Sequence, residues 1–387
     1  MKGATWKTHI KRNDSEGTSI ENLFSNRKFF RNLATLGPAI NTSTMSRLSI
    51  TELSQQASES PLSATFHAQL ATLVEKETKS GKPYLEAGMA DSTGSFTLKA
   101  WADHPLFKEL QAIPIGSGLE VTGKFTRNQW GMDGSPWKFS LLGQEANSEL
   151  LAGDPKTLAK QNKDYQVIED FVSSLTDPRL LSFCRRFLTV FGERFQRTAA
   201  ARKNHHARRG GLVEHVAQMM RSADAIAGVY PDLNRDLLLA GVLFHDCGKL
   251  WENSYPESGF TQLYQLSGEM MGHIPLGIEL ANKLWRDLLL SPEAETWASL
   301  QPSTESVRIH VLHLIASHHG THEYGSPTLP RTPEAFALHY VDNLDAKYEM
   351  LMDAYAEANE LAPGIVERRF PLPTNLVVPL AKFEKTE

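Results

Sequence analysis

Residues 237–246 read LLLAGVLFHD, and the fold of the C-terminal half turns on how that string is read. The apolar run from Leu237 to Phe244 is far short of the roughly 20 residues a membrane helix needs. It suits a helix buried on every side, closed by Gly248. His245 and Asp246 end that helix, so they point into or beside a core. An unpaired polar group in an apolar interior costs on the order of 2–7 kcal/mol by transfer. An adjacent buried imidazole and carboxylate therefore need partners, and metal coordination is one way to supply them.

Working outward, four more segments place a histidine or aspartate on an inward line. Helical spacing runs from Leu212 to Ala227 and stops at Gly228 and Pro231; His215 shares the stripe of Leu212, Met219 and Ile226. A helix from Val307 to His319 is closed by Gly320, with His318 one turn after Leu314 and His319 one turn after Ile315. Thr332-Pro333 reads as the cap and first-turn proline of a helix running to about Leu361, and Asp342 lies one turn after Leu338. His273 is followed closely by Pro275, which fits a helix that starts at His273. One histidine on an apolar face is usually a hydrogen-bonded core residue. Five helices with such a residue would need five separate solutions to burial, whereas one shared metal cluster satisfies them together.

The order His, His-Asp, His, His and Asp resembles the HD superfamily of metal-dependent phosphohydrolases. The local strings resemble its YhaM branch: His205-His206, Gly210-Gly211-Leu212-Val213-Glu214-His215, His245-Asp246-Cys247-Gly248-Lys249, and Gly268-Glu269-Met270-Met271-Gly272-His273-Ile274. So do Ser317-His318-His319-Gly320, Glu323-Tyr324-Gly325-Ser326-Pro327 and Asp342-Asn343-Leu344-Asp345-Ala346-Lys347. The resemblance implies an OB-fold joined to an all-α HD domain, and 3′-to-5′ exoribonuclease activity. It implies that His215, His245, Asp246 and Asp342 hold one metal, and that His273 with one or both of His318 and His319 holds a second. Asp246 is the best bridging ligand, because a carboxylate has two oxygens to share. Mixed imidazole and carboxylate ligation suits Mn, Fe, Co or Zn better than Mg, and the resemblance favours Mn. Lys249, three residues after Asp246, is positioned to contact a phosphate oxygen and act with Asp246 in catalysis. Glu214 and Glu269 are candidates to orient the ligand histidines. Cys247 reads as a small buried residue, not a nucleophile.

The N-terminal half alternates with period two. Strands are expected over 64–74, 84–90, 96–101, 118–126 and 137–142, with a helical stretch near Pro105 between the third and fourth, which suggests an OB-type barrel. The fold class is therefore multidomain α+β. The expected divisions are a basic, disordered extension at 1–44 (or a transit peptide), a barrel at 48–145, a polar linker at 146–163, an HD domain at 164–365 and a tail at 366–387. Of 387 residues 41% are hydrophobic and 22% charged, with a net charge of −5, so a uniformly basic surface is excluded but local patches are not. Arg202, Lys203, His205, His206, Arg208 and Arg209 form the sharpest basic cluster, directly before the His215 helix. They, with Lys347 and the barrel residues Trp101 and Trp130, are the expected contacts to single-stranded RNA or DNA. Two cysteines, Cys184 and Cys247, point to a reducing, cytoplasmic setting, and no apolar run is long enough to span a membrane. The expected activity is 3′-to-5′ hydrolysis of single-stranded RNA to nucleoside monophosphates. The alternatives are a phosphohydrolase for a small nucleotide or cyclic dinucleotide, and a nucleic-acid-binding protein on an inactive HD scaffold.

Overall fold

A computed structural model describes residues 47–128, 131–357 and 359–383. The expected extension at 1–44 lies outside the described residues. β1 (Arg47–Leu48) leads into α1 (Ile50–Gln56), capped by Ser49 and Glu52 in a reciprocal box. Five strands follow: β2 (Leu62–Glu77), β3 (Pro83–Ala90), β4 (Ser95–Trp101), β5 (Gly118–Asn128) and β6 (Gly131–Leu141), with α2 (Phe107–Gln111) between β4 and β5. Their order is β4-β3-β2-β5-β6, all antiparallel. β2 does double duty. Residues 62–69 pair with β5, residues 69–77 pair with β3, and a register shift between Leu70 and Thr72 marks the bend. β4 and β6 close the barrel, where Trp137 Nε1 donates to Lys99 O at 3.4 Å. Phe66, Leu70, Leu85, Leu98, Leu119, Val121, Phe125 and Trp137 fill the interior. This is the OB-type topology expected from the strand spacing.

The stretch expected as a linker, 146–163, is helical instead. It lies in α3 (Gln144–Ala152) and the first half of α4 (Pro155–Ser173). Asp154 caps α4 at Thr157 N, with Pro155 at the first position. The sequence hid this helix because the positions α4 buries there are Gln161 and Asp164, so no apolar period appears. The expected tail is also structured in part. α12 (Pro333–Glu357) is followed by β7 (Glu360–Ala362), β8 (Ile365–Val366) and β9 (Leu376–Val377), with Leu372 and Leu376 buried against Ala354.

Between α4 and α12 run α5 (Pro178–Gln196), α6 (Gly211–Val229), α7 (Arg235–Phe244), α8 (Lys249–Glu252), α9 (Leu266–Met271), α10 (His273–Leu288) and α11 (Thr304–Ser317). α7 is the axis of this half, and every residue from Asp236 to Phe244 is buried. Phe183 of α5 stacks on Phe244 at 4.0 Å between centroids, and Trp285 of α10 meets Phe183 edge-on. Burying each such Leu, Val or Phe contributes roughly 1.5–3 kcal/mol. No described helix is long and apolar enough to cross a membrane.

A buried amide is one of the groups that fasten the barrel to the helices. Gln69 of β2 accepts from Phe260 N at 2.7 Å and donates to Gly116 O at 3.0 Å. Phe260 sits in the loop between α8 and α9. Gln69→Ala leaves that N–H buried and unpaired, so the expected loss is about 1–3 kcal/mol in equilibrium unfolding. A wild-type unfolding midpoint for this variant would show that Gln69 does not fasten the two halves.

Candidate metal centre

Five helices deliver the polar residues. His215 lies near the start of α6, whose first turn is set by Gly210 and Gly211. His245 and Asp246 lie in the turn after α7, His273 opens α10, His318 and His319 end α11, and Asp342 sits mid-way along α12. Two glycines allow the approach. Gly248 packs so closely on α10 that a Cβ there would come within 1.9 Å of His273 O. Gly272, at φ 71°, makes the sharp turn by which α9 ends and α10 begins with His273 as its first residue.

Asp246 is the centre. Its carboxylate is 2% exposed, and its two oxygens face different groups. Oδ2 lies 3.2 Å from His245 Nε2, 3.8 Å from His215 Nε2 and 2.5 Å from Lys249 Nζ. Oδ1 lies 3.6 Å from both His273 Nε2 and His318 Nε2. Asp342 Oδ1 joins the first group, 3.3 Å from His215 Nε2 and 4.0 Å from His245 Nε2. His319 joins the second, its ring centroid 4.3 Å from that of His318 and 5.1 Å from that of His273.

The other ring nitrogen of each histidine is engaged. His245 Nδ1 donates to Val242 O at 2.8 Å, His318 Nδ1 to Ile315 O at 2.8 Å and His319 Nδ1 to Tyr324 O at 2.6 Å. His273 Nδ1 meets Glu252 Oε2 at 2.8 Å, and His215 Nδ1 meets Asp345 Oδ2 at 2.7 Å. These contacts fix the tautomers and turn each Nε2 lone pair inward. The Nε2 atoms of His215, His245, His273 and His318, and Asp246 Oδ1, are buried with no hydrogen-bond partner. Several orphaned acceptors around one carboxylate is costly unless a cation completes the group. The donor set fits divalent metal, and His215–His245–Asp246 and His273–His318–His319 each bring their ligand atoms within 4.8 Å of one another. Burial disfavours the charged form of His215, but Asp342 and Asp345 outweigh it and lift the imidazole to about 9, so a cation held by Nε2 would displace a proton from it. Burial raises the Asp246 and Asp342 carboxyls, yet Lys249 and His245 beside Asp246, and His215 and His245 beside Asp342, hold both far below the usual range. Burial, with His319 and His245 alongside, keeps His318 neutral.

The HD domain family model matches residues 212–347, which span the whole centre. A curated relative named 3′-5′ exoribonuclease YhaM, from Geobacillus sp. strain WCH70, is 33% identical over 273 residues, 70% of this chain and 78% of the relative. Relatives of the same name from Bacillus velezensis and Bacillus licheniformis are 34% identical over 310 residues and 32% over 314; each match covers 78% of this chain, and 90% and 91% of the relatives. The chain belongs to the YhaM family. The solved second OB-fold domain of replication protein A from Methanococcus maripaludis aligns with 26% of this chain and 97% of its own, at 20% identity and a TM-score of 0.20.

In this YhaM-family chain the expected basic cluster does something other than stand free for substrate. Arg208 pairs with buried Glu214 through Nη2 at 2.6 Å and with Glu349 at 3.0 Å. Arg209 donates to the carbonyls of Pro256, Glu257 and Gly259, and Arg202 to Glu252 O, its guanidinium 3.9 Å from the Tyr264 ring centroid. His206 meets Asp345 Oδ2 at 3.1 Å. These four brace the loop before α6, because buried carboxylates and loop carbonyls lie within reach. Lys203 is exposed and Lys347 half-buried. His205 faces the centre, with its ring 5.8 Å from that of His215 and its buried Nδ1 unpartnered. Burial, then the Lys249 charge, pushes His205 down to about 3, so it is neutral. Trp101 is 45% exposed against Tyr84 on the barrel, and Trp130 lies outside the described residues.

The carboxylates expected to orient the histidines are also corrected. Glu214 is bound by Arg208, Lys160 and Gln161, which against the burial penalty hold it at about 2, and Glu269 is an exposed partner of Arg202. Asp345 and Glu252 make the histidine contacts instead. Asp345 was findable in the sequence as the residue one turn beyond Asp342 on the same helix face. Asp345→Asn should lower divalent-metal affinity about 10–100-fold, whereas Glu269→Gln should leave it unchanged. Calorimetric titration of Mn²⁺ into metal-free protein reads both, and equal affinities for the two variants would remove Asp345 from this role.

Proposed function

We propose that this chain is a metal-dependent 3′-to-5′ exoribonuclease that hydrolyses single-stranded RNA to nucleoside monophosphates, with two divalent cations, Mn first among the candidates. The observation that carries the reading is the sharing of Asp246, with one oxygen toward His215 and His245 and the other toward His273 and His318. In the proposed assignment His215, His245, Asp246 and Asp342 hold one cation. Asp246, His273, His318 and His319 hold the other. The relatives' name, and a match that covers 90% and 91% of their own length, support the polarity and the RNA substrate. Water activation and charge neutralisation at phosphorus are the chemistry that such a pair supplies when bound.

The chain's own groups supply the rest. Lys249 is buried and sits 2.5 Å from Asp246 Oδ2, so its ammonium is fixed at the centre without ligating. It is placed to hydrogen-bond a non-bridging phosphate oxygen as charge builds there. Neutral His205, with a free nitrogen beside His215, offers a further hydrogen bond to the terminal nucleotide. The Trp101–Tyr84 pair, with centroids 4.9 Å apart on the barrel surface, supports a stacking platform for bases upstream of the cleaved bond.

A 5′-labelled single-stranded RNA incubated with Mn²⁺-loaded protein should shorten one nucleotide at a time from its 3′ end, with nucleoside monophosphates released. Internal fragments, or turnover confined to cyclic dinucleotides, would overturn the proposal. Asp246→Ala should lose both metal and cleavage. Lys249→Ala should keep its metal and slow single-turnover cleavage about 10²–10³-fold; loss of metal in Lys249→Ala would mean instead that the lysine maintains the turn after Asp246.

A further inference from the structure

The segment between α8 and α9 meets the barrel at Phe260 and Thr261, through Gln69 and the Ala71 carbonyl. From Thr261 the chain continues to His273. The exposed residues on that way are Leu263, Tyr264, Leu266, Glu269, Met270 and Met271. All but Glu269 are large and apolar or aromatic, between 46 and 80% exposed, and Glu269 is paired with Arg202. Leu266 and Met270, one turn apart on α9, share a face. Single exposed apolar residues are ordinary, but such a succession beside a cluster of cation-facing imidazoles marks a binding surface.

Tyr264 differs from the others because its ring is already held. The Arg202 guanidinium lies 3.9 Å from the ring centroid and covers one face. The residue is 74% exposed, which leaves the other face to solvent. Arg202 Nη2 donates to Glu252 O at 2.6 Å, and the Glu252 carboxylate is the partner of His273 Nδ1 at 2.8 Å. Three contacts thus lead from the ring to a ligand histidine. A flat face ordered before anything binds loses little side-chain entropy when something stacks on it. A nucleobase suits such a face, since every base offers a π-surface of its own. Lys203, the residue after Arg202, is exposed and brings a second cation for the phosphate that follows a stacked base.

We infer that Tyr264, with Arg202 behind it, stacks a base of the RNA strand between the barrel and the cation centre. The inference rests on the nuclease reading, which puts the 3′ end at the cations and the upstream nucleotides on the barrel. A strand so held crosses the stretch that carries Tyr264. The contact is to the face of a base and not to its edge, so it registers that a base is present and not which one. Tyr264 is therefore a positioning residue that fixes the strand and takes no part in bond breaking.

RNAs with one abasic nucleotide, moved through about six positions from the 3′ end, test the stack on Mn²⁺-loaded protein. First-cleavage rates of 5′-labelled strands at low concentration give kcat/KM. With the unsubstituted chain, removing the stacked base should lower kcat/KM about 5–150-fold. Tyr264→Ala should lose a similar factor on the strand with all its bases, in KM and not in kcat. It should then be indifferent to the abasic nucleotide at that position. Such non-additivity reports direct contact, whereas a merely structural role for Tyr264 leaves both penalties in place. Tyr264→Phe keeps the aromatic face and should match the unsubstituted chain, and Mn²⁺ affinity should be equal in all three proteins. Additive penalties at every position overturn the inference. So does an unchanged KM in Tyr264→Ala, and loss of self-association in that variant with KM unchanged would assign the surface to a second copy. A chain that cleaves no RNA overturns the nuclease reading instead. The stack is then read from fluorescence anisotropy of the same strands, where equal affinities for Tyr264→Ala and the unsubstituted chain overturn it separately.

Discussion

A single carboxylate with its two oxygens turned to different sets of imidazoles is the constraint around which the helical half is arranged. Asp246 cannot be moved to suit one set without leaving the other. Its backbone is held by the buried α7 on one side and by the contact of Gly248 with α10 on the other. Every ligand-bearing helix packs to satisfy that point. The resulting concentration of buried polar groups is tolerable only because each is aimed at the same small volume.

The backs of the histidines explain the supporting structure. Two of the orienting partners are carboxylates, Asp345 and Glu252, and three are backbone carbonyls of the local turn. The Val242 and Ile315 carbonyls come with the helix end itself and are insensitive to substitution, whereas the Tyr324 carbonyl belongs to the turn that follows α11. The carboxylate partners depend on the packing of α12 and α8.

Much of this was legible in the sequence because burial is legible. The run before His245 demanded an interior helix, and Pro275 after His273 marked a helix start. The five-strand spacing indicated an OB-type barrel. What stayed hidden is what depends on partners far away in the chain. Arg208 and Arg209 look free in sequence, since nothing there shows that Glu214, Glu349 and the carbonyls of 256–259 lie beside them. Glu214 and Glu269 neighbour ligand histidines in sequence, while Asp345 and Glu252 neighbour them in space. The first half of α4 escaped notice because Gln161 and Asp164 occupy its inner side there and erase the period that reveals a buried face.

The loop from Asn253 to Gln265 acquires a different meaning once its attachments are followed from end to end. It leaves α8 just after Glu252, touches β2 through Phe260 and Thr261, and returns to the α9–α10 turn that bears His273. Arg202 and Arg209, on the segment that leads to His215, grip it from the side. Barrel and metal centre are thus connected in series through one continuous stretch of backbone. Any coupling between the two ends would have this backbone as its shortest covalent route. By reciprocity, any factor that a ligand on the barrel imposed on cation affinity would be returned by the cation as the same factor in affinity for that ligand.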